Sequence, residues 1–160
     1  MNEQRTIQRK GRYAIALLMF MGGFAAIGIY LLAPKTVQAA EMVVYKSPTC
    51  GCCKKWIDHM RDNGFDVEVR EQHNVTPVKD KLGVPERLRS CHTAKVAGYI
   101  VEGHVPADVV RRLLDEKPDV VGIAVPGMPM GSPGMEGFRK DPYDIITFSS
   151  TGKMSVFASR

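Results

Sequence analysis

Apolar and polar positions change their period several times along the chain, and each change predicts an element. Between Tyr13 and Ala33 no charged residue occurs, and residues 14–33 are almost wholly apolar. That run is long enough to cross a bilayer core, which takes about 20 such residues. Pro34 ends it. Residues 41–46 are apolar and rich in β-formers, which predicts a strand, and Ser47-Pro48-Thr49 breaks it. A helical period starts near Cys52: Trp56 and Met60 are spaced i, i+4, with Ile57 on the same face. Asn63-Gly64 predicts the stop of this helix. Residues 65–69 alternate and predict a second strand. Thr76-Pro77 reads as an N-cap followed by Pro at the first helical position, opening a short helix that ends at Gly83. Residues 90–96 and 99–103 predict two further strands joined at Ala97-Gly98. Pro106 opens a helix over residues 107–116 with the apolar stripe Val109, Val110, Leu113 and Leu114, and Pro118 closes it. Residues 120–125 predict another strand. Residues 144–149 and 154–157 flank Thr151-Gly152 as a terminal hairpin.

The order strand, helix, strand, helix, strand, strand, helix gives a mixed α/β class by periodicity alone. With cysteines at the first strand-to-helix junction it resembles a thioredoxin fold. Three segments are expected. Residues 1–39 are a signal peptide or membrane anchor. Residues 40–118 are a thioredoxin-like core carrying the cysteines. Residues 119–160 are a Met-containing loop and a C-terminal hairpin packed on the core.

Charge sharpens the first boundary. The formal net charge is +5, but residues 1–39 hold five Lys/Arg (Arg5, Arg9, Lys10, Arg12, Lys35) against Glu3 alone. Residues 40–160 carry 17 basic and 16 acidic residues and are close to neutral. No basic face remains for nucleic acid. The basic cluster before the apolar run keeps the N-terminus inside and puts residues 40–160 outside the cytoplasm. Val37-Gln38-Ala39 predicts cleavage after Ala39, whereas the length of the apolar run predicts an uncleaved anchor. The expected location is therefore periplasmic, either free or held at the inner membrane by residues 14–33.

All four cysteines (Cys50, Cys52, Cys53, Cys91) lie in the exported part, where thiols oxidise. Cys50 and Cys53 have the C-x-x-C spacing of a redox dithiol and are expected at a helix start. There the helix dipole favours thiolate, and Lys54 and Lys55 push the same way. Cys52 shifts the balance toward metal, because a third sulfur invites wrong pairings in an oxidoreductase but is readily used by a soft ion. Four thiolates also suit structural zinc, an iron–sulfur cluster or two disulfides. The three-plus-one spacing departs from the paired cysteines of zinc sites. In a thioredoxin-like arrangement the chain before the third strand passes beside the C-x-x-C turn, which would bring Cys91 to the other three.

Secondary ligand candidates are His92, next to Cys91, and His104, in the turn before a helix. His59 and His73 read as surface positions. Met128, Met130 and Met135 sit in a Pro- and Gly-rich stretch that cannot be helical. Their thioethers are either soft neutral ligands for Cu(I) or packing groups.

The stretch Tyr45-Lys-Ser-Pro-Thr-Cys-Gly-Cys-Cys-Lys-Lys-Trp56 resembles the signature of the CopG-type copper-resistance proteins of bacteria. So do Ser90-Cys-His-Thr93, Gly98-Tyr-Ile-Val-Glu-Gly-His-Val-Pro106 and Gly127-Met-Pro-Met-Gly-Ser-Pro-Gly-Met135. The resemblance implies a thioredoxin-like fold and a multinuclear copper–thiolate site on Cys50, Cys52, Cys53 and Cys91, with His92 nearby. It also implies periplasmic copper handling, including interconversion of Cu(I) and Cu(II). The expected partners are copper ions and other periplasmic copper-handling or export proteins. The membrane enters only through an uncleaved N-terminal segment. The alternative is a periplasmic thiol–disulfide oxidoreductase acting through Cys50 and Cys53.

Overall fold

The computed structural model of the chain describes residues 41–160, so the expected signal or anchor segment lies outside the described residues. In chain order the elements are β1 (Glu41–Lys46), α1 (Gly51–Asp62), β2 (Asp66–Glu71), α2 (Thr76–Lys81), a 3-10 turn (Glu86–Leu88), β3 (His92–Val96), β4 (Tyr99–Glu102), α3 (Ala107–Glu116), β5 (Gly122–Ala124), β6 (Asp144–Phe148) and β7 (Met154–Ser159). The strands make one seven-stranded sheet in the order β2-β1-β3-β4-β5-β6-β7. β1 pairs parallel with β2 and antiparallel with β3. β4 runs antiparallel to β3 and parallel to β5. The terminal hairpin is a continuation of the same sheet, because β6 pairs with β5 and β7 with β6.

Side chains alternate across the strands, so each strand feeds two cores. On one face Met42, Val44, Ala94, Val96, Val101 and Ile123 meet Trp56, Ile57 and Met60 of α1 and Val109, Val110 and Leu113 of α3. On the other face Ile100, Ala124 and Phe148 pack with Val84 and Leu88 from the segment between α2 and β3. In β3 this alternation turns His92 toward Trp56 of α1, with ring centroids 4.3 Å apart. Its neighbour Thr93 turns the other way, to the Lys79 ammonium of α2 at 2.8 Å.

Helix ends follow the sequence signals closely. Gly64 stands at φ +81°, and the amides of Gly64 and Phe65 donate back to the carbonyls of Arg61 and Met60. This closure uses the Phe65 amide, so β2 begins at Asp66 rather than Phe65. Ala97 and Gly98 both have positive φ and form the tight β3–β4 turn. The start of α2 differs from expectation. Thr76 lies inside the helix, Val75 is the cap residue, and the Thr76 amide donates to Asn74 Oδ1 at 3.0 Å. The local side chain that satisfies the helix start is therefore two residues upstream of Thr76.

Candidate metal centre

The turn after β1 sets the first part of the site. Cys50 is the N-cap of α1, and its sulfur accepts the Cys53 amide at 3.3 Å. Cys50 and Cys53 are joined by a disulfide, whereas Cys52 and Cys91 are free thiols. Cys53 is buried, and Cys50, Cys52 and Cys91 are half-buried. The Cys50 and Cys52 sulfurs are 3.5 Å apart. Cys91, in the residue before β3, completes the group: all four sulfurs lie within 4.8 Å of one another. The expected approach of the chain before the third strand to the first helix start is therefore present.

Cys91 also belongs to a second group with His92 and His104, whose ligand atoms again lie within 4.8 Å of one another. Its sulfur is 3.0 Å from His104 Nε2 and 3.3 Å from His92 Nδ1. The family resemblance implies only His92 near the site, yet His104 makes the closer contact. Its spacing from Cys91 carries no periodic signal, since β4 and the turn after it must bring it back. His59 departs from its expected surface role. Its Nε2 accepts the Ala107 amide at 3.2 Å and so caps the start of α3. His73 is exposed, as read from the sequence.

Burial controls the protonation of these groups. The Cys91 thiol is pushed up to about 12 by burial and then by the nearby Cys52 sulfur. Burial lowers His92 far below the ordinary histidine value, with His104 and Lys79 acting in the same direction. His104 is lowered too, again chiefly by burial. Both imidazoles are thus neutral at pH 7, the form that binds metals.

The loop between β5 and β6 folds over this centre. Ser90 Oγ donates to the Gly127 carbonyl at 2.5 Å, and His104 Nδ1 lies 2.7 Å from the Pro133 carbonyl. Gly134 lies so close to α1 that an added Cβ would come within 2.7 Å of the Cys52 carbonyl oxygen and 3.0 Å of the Trp56 nitrogen. Of the three loop methionines, Met128 is 51% exposed, and Met130 and Met135 are half-buried. Beside the cysteine turn, on the side of β1 and β2, is a cleft of about 590 Å³ lined in part by Pro48, Thr49, Cys50 and Lys54.

An α/β protein with clustered thiols at a strand-to-helix turn, a fourth thiol brought in by the sheet and neutral imidazoles alongside carries a donor set of the class that suits soft metal ions. Comparison with known proteins makes this specific. The family described as "Protein of unknown function, DUF411" matches residues 88–135. Two solved structures titled copper resistance protein CopG, in two forms, are each 46% identical to the chain. Each covers 76% of this chain and 98% of its own, with TM-scores of 0.73 and 0.72. The chain belongs to the CopG family of copper-resistance proteins. No curated protein matches it.

Proposed function

We propose that this is an exported copper(I)-binding protein of copper resistance, holding several Cu(I) ions on the thiolates of Cys50, Cys52, Cys53 and Cys91. The observation that carries the reading is the convergence of all four sulfurs within 4.8 Å. Thiolates are the preferred donors of Cu(I), and monovalent ions bridged between sulfurs reduce the repulsion among them. The disulfide makes the site redox-gated. A thiol reductant supplying two electrons and two protons converts the Cys50–Cys53 bond to two thiols and completes the donor set. Exchange between Cu(I) and Cu(II) is part of the same reading. Residues 40–118 act as a thioredoxin-like core. The strand order β2-β1-β3-β4, with β1 and β2 parallel and β3 and β4 antiparallel, supports that assignment. Residues 119–160 extend the sheet and cover the site, and residues 1–39 direct the chain to the periplasm. Among the described residues no helix is long and apolar enough to cross a membrane.

The test is an anaerobic Cu(I) titration of the reduced protein with metal and thiols counted. More than one Cu(I) per chain is expected, and Cys91→Ser should lower the count. Zero copper, or zinc that copper cannot displace, overturns the reading. A second reading, thiol–disulfide exchange on protein substrates, is favoured by one observation: the Cys50–Cys53 disulfide at a helix start beside the cleft. Turnover of a disulfide substrate by metal-free protein would support it.

A further inference from the structure

The disulfide form withdraws Cys50 and Cys53 from metal binding but leaves a second donor set intact. We propose that in this form Cys91, His92 and His104 make a separate site for one divalent transition-metal ion, Cu(II) in the setting proposed above. The inference deepens that reading, because Cys91 is shared between the two sites.

The spacing of the donors fits a common ion. Metal–sulfur and metal–nitrogen bonds of ordinary length around a tetrahedral centre put sulfur and nitrogen about 3.5 Å apart. Cys91 Sγ stands 3.0 Å from His104 Nε2 and 3.3 Å from His92 Nδ1, so small side-chain movements suffice. The three donors are also held in place. The Gly103 amide donates to the His92 carbonyl at 3.0 Å and clamps the start of β3 to the end of β4. That approach requires glycine: at φ +73° an added Cβ would lie 2.7 Å from both Ser90 Cβ and the Val125 oxygen.

The nitrogens face the right way. A carbonyl only accepts, so the 2.7 Å contact with Pro133 places the His104 proton on Nδ1 and leaves the lone pair of Nε2 aimed at Cys91. A second hydrogen bond that fixes the tautomer is the usual support of a ligating histidine. His92 is fully buried, and its Nε2 has no hydrogen-bond partner. Its Nδ1 lies 3.3 Å from the Cys91 sulfur, while its face packs on Trp56. Oxidation of Cys50 and Cys53 therefore leaves two free thiols, Cys52 and Cys91, and of these Cys91 is the one grouped with the two imidazoles. Mixed imidazole–thiolate sets suit Cu(II), Zn(II) and Co(II), whereas an all-thiolate set suits Cu(I). The two redox forms of the protein then differ in which copper oxidation state they hold.

The experiment uses the full chain in detergent, air-oxidised, with the Cys50–Cys53 disulfide confirmed by peptide mapping. It is titrated anaerobically with Co(II), which is not reduced by a thiol. One Co(II) per chain is expected, with an intense sulfur-to-cobalt charge-transfer band in the near ultraviolet. Cys91→Ser should remove the band. His104→Gln and His104→Ala should each weaken binding by about tenfold or more. Cys52→Ser should leave both stoichiometry and band unchanged. Melting curves on every variant identify any that fail to fold, and His104→Gln, the closer in size, serves if Cys91→Ser does. No bound Co(II), binding unchanged in both His104 variants, or loss of binding in Cys52→Ser overturns the inference. A Cu(I) titration of the reduced chain separates the two proposals. Copper bound there with no Co(II) in the oxidised form defeats the mixed-donor site alone. Co(II) bound with no Cu(I) defeats the thiolate-cluster reading alone.

Discussion

The Lys79 ammonium lies 2.6 Å from the Glu102 carboxylate, with the two side chains 4% and 0% exposed. The same carboxylate oxygen accepts the Ser90 amide at 2.6 Å, and the other accepts the Thr93 hydroxyl at 2.5 Å. The pair thus sits on the opposite face of the sheet from His92 but fixes the backbone that leads directly into Cys91. Removing one partner of a buried pair leaves an uncompensated charge and costs about 3–5 kcal/mol. Lys79→Met is expected to fall in that range, read from urea unfolding of the metal-free protein. Lys79→Met combined with Glu102→Gln should recover part of the loss. A single-variant cost under about 1 kcal/mol would show that the charge finds water.

The sequence made the cysteine turn legible because its signals are local. The strand before Cys50, the helix pattern of Trp56, Ile57 and Met60, and the Gly64 stop all fall within a short window, and the structure has each of them. Cys91 was placed only through the fold, since β3 must pair with β1 before its leading residue can reach the turn. The contact of His104 with Cys91 is hidden in the sequence for the same reason. Its partner is thirteen residues away across a hairpin, and no period links them. His59 looked like a surface residue because a backbone amide from a distant helix, Ala107, leaves no trace near it in sequence. The Lys79–Glu102 pair was invisible, as two charged residues on separate elements read as solvated faces until the topology buries them.

Gly134 is where the covering loop touches the site. Its φ of +85° and the 2.7 Å approach to the Cys52 oxygen leave no room for a methyl group. Gly134→Ala is expected to destabilise the protein by about 1–3 kcal/mol and to raise the alkylation rate of Cys52 and Cys91. Gly127→Ala is the control. It shares a positive φ, +69°, but an added Cβ meets nothing within 4 Å. Its cost should be near 1 kcal/mol, with alkylation unchanged. Equal effects of the two substitutions would show that only backbone strain matters at Gly134.

Three histidines are neutral in the folded protein. His92, His104 and His59 are all lowered below the ordinary value, in each case chiefly by burial. The unfolded chain binds their protons near pH 6.5, and the folded one does so only at lower pH. The stability they support is therefore complete above about pH 6.5 and declines as pH falls below it. Each fully neutral histidine contributes a slope of up to about 1.4 kcal/mol per pH unit. Glu102 has its carboxyl raised by burial against the pull of Lys79 and opposes this trend toward acid pH. Urea unfolding of metal-free protein between pH 7.5 and about 5.5 should show the decline. His92→Gln should flatten it by roughly one proton. A profile unchanged in slope would mean that His92 is already charged in the fold.

The loop methionines are the last element without a fixed role. Met128 is half exposed at 51%, so little packing holds it. Met130 lies under Gly137, where an added Cβ would sit 2.3 Å from its methyl carbon, and so behaves as a packing residue. Both belong to a loop tied to the site at Gly127 and Pro133. Thioethers are neutral and stay reduced more readily than thiols, so they suit brief capture of Cu(I) before the thiolates take it. Replacing Met128, Met130 and Met135 together by Leu nearly conserves volume. The cysteine-bound copper count should stay the same, while stopped-flow loading from a weak Cu(I) donor should slow. Met128→Leu alone should carry most of the slowing, and Met130→Leu most of any change in melting temperature. Normal loading in the triple variant together with a clear drop in melting temperature would make the three side chains packing groups and remove the relay role.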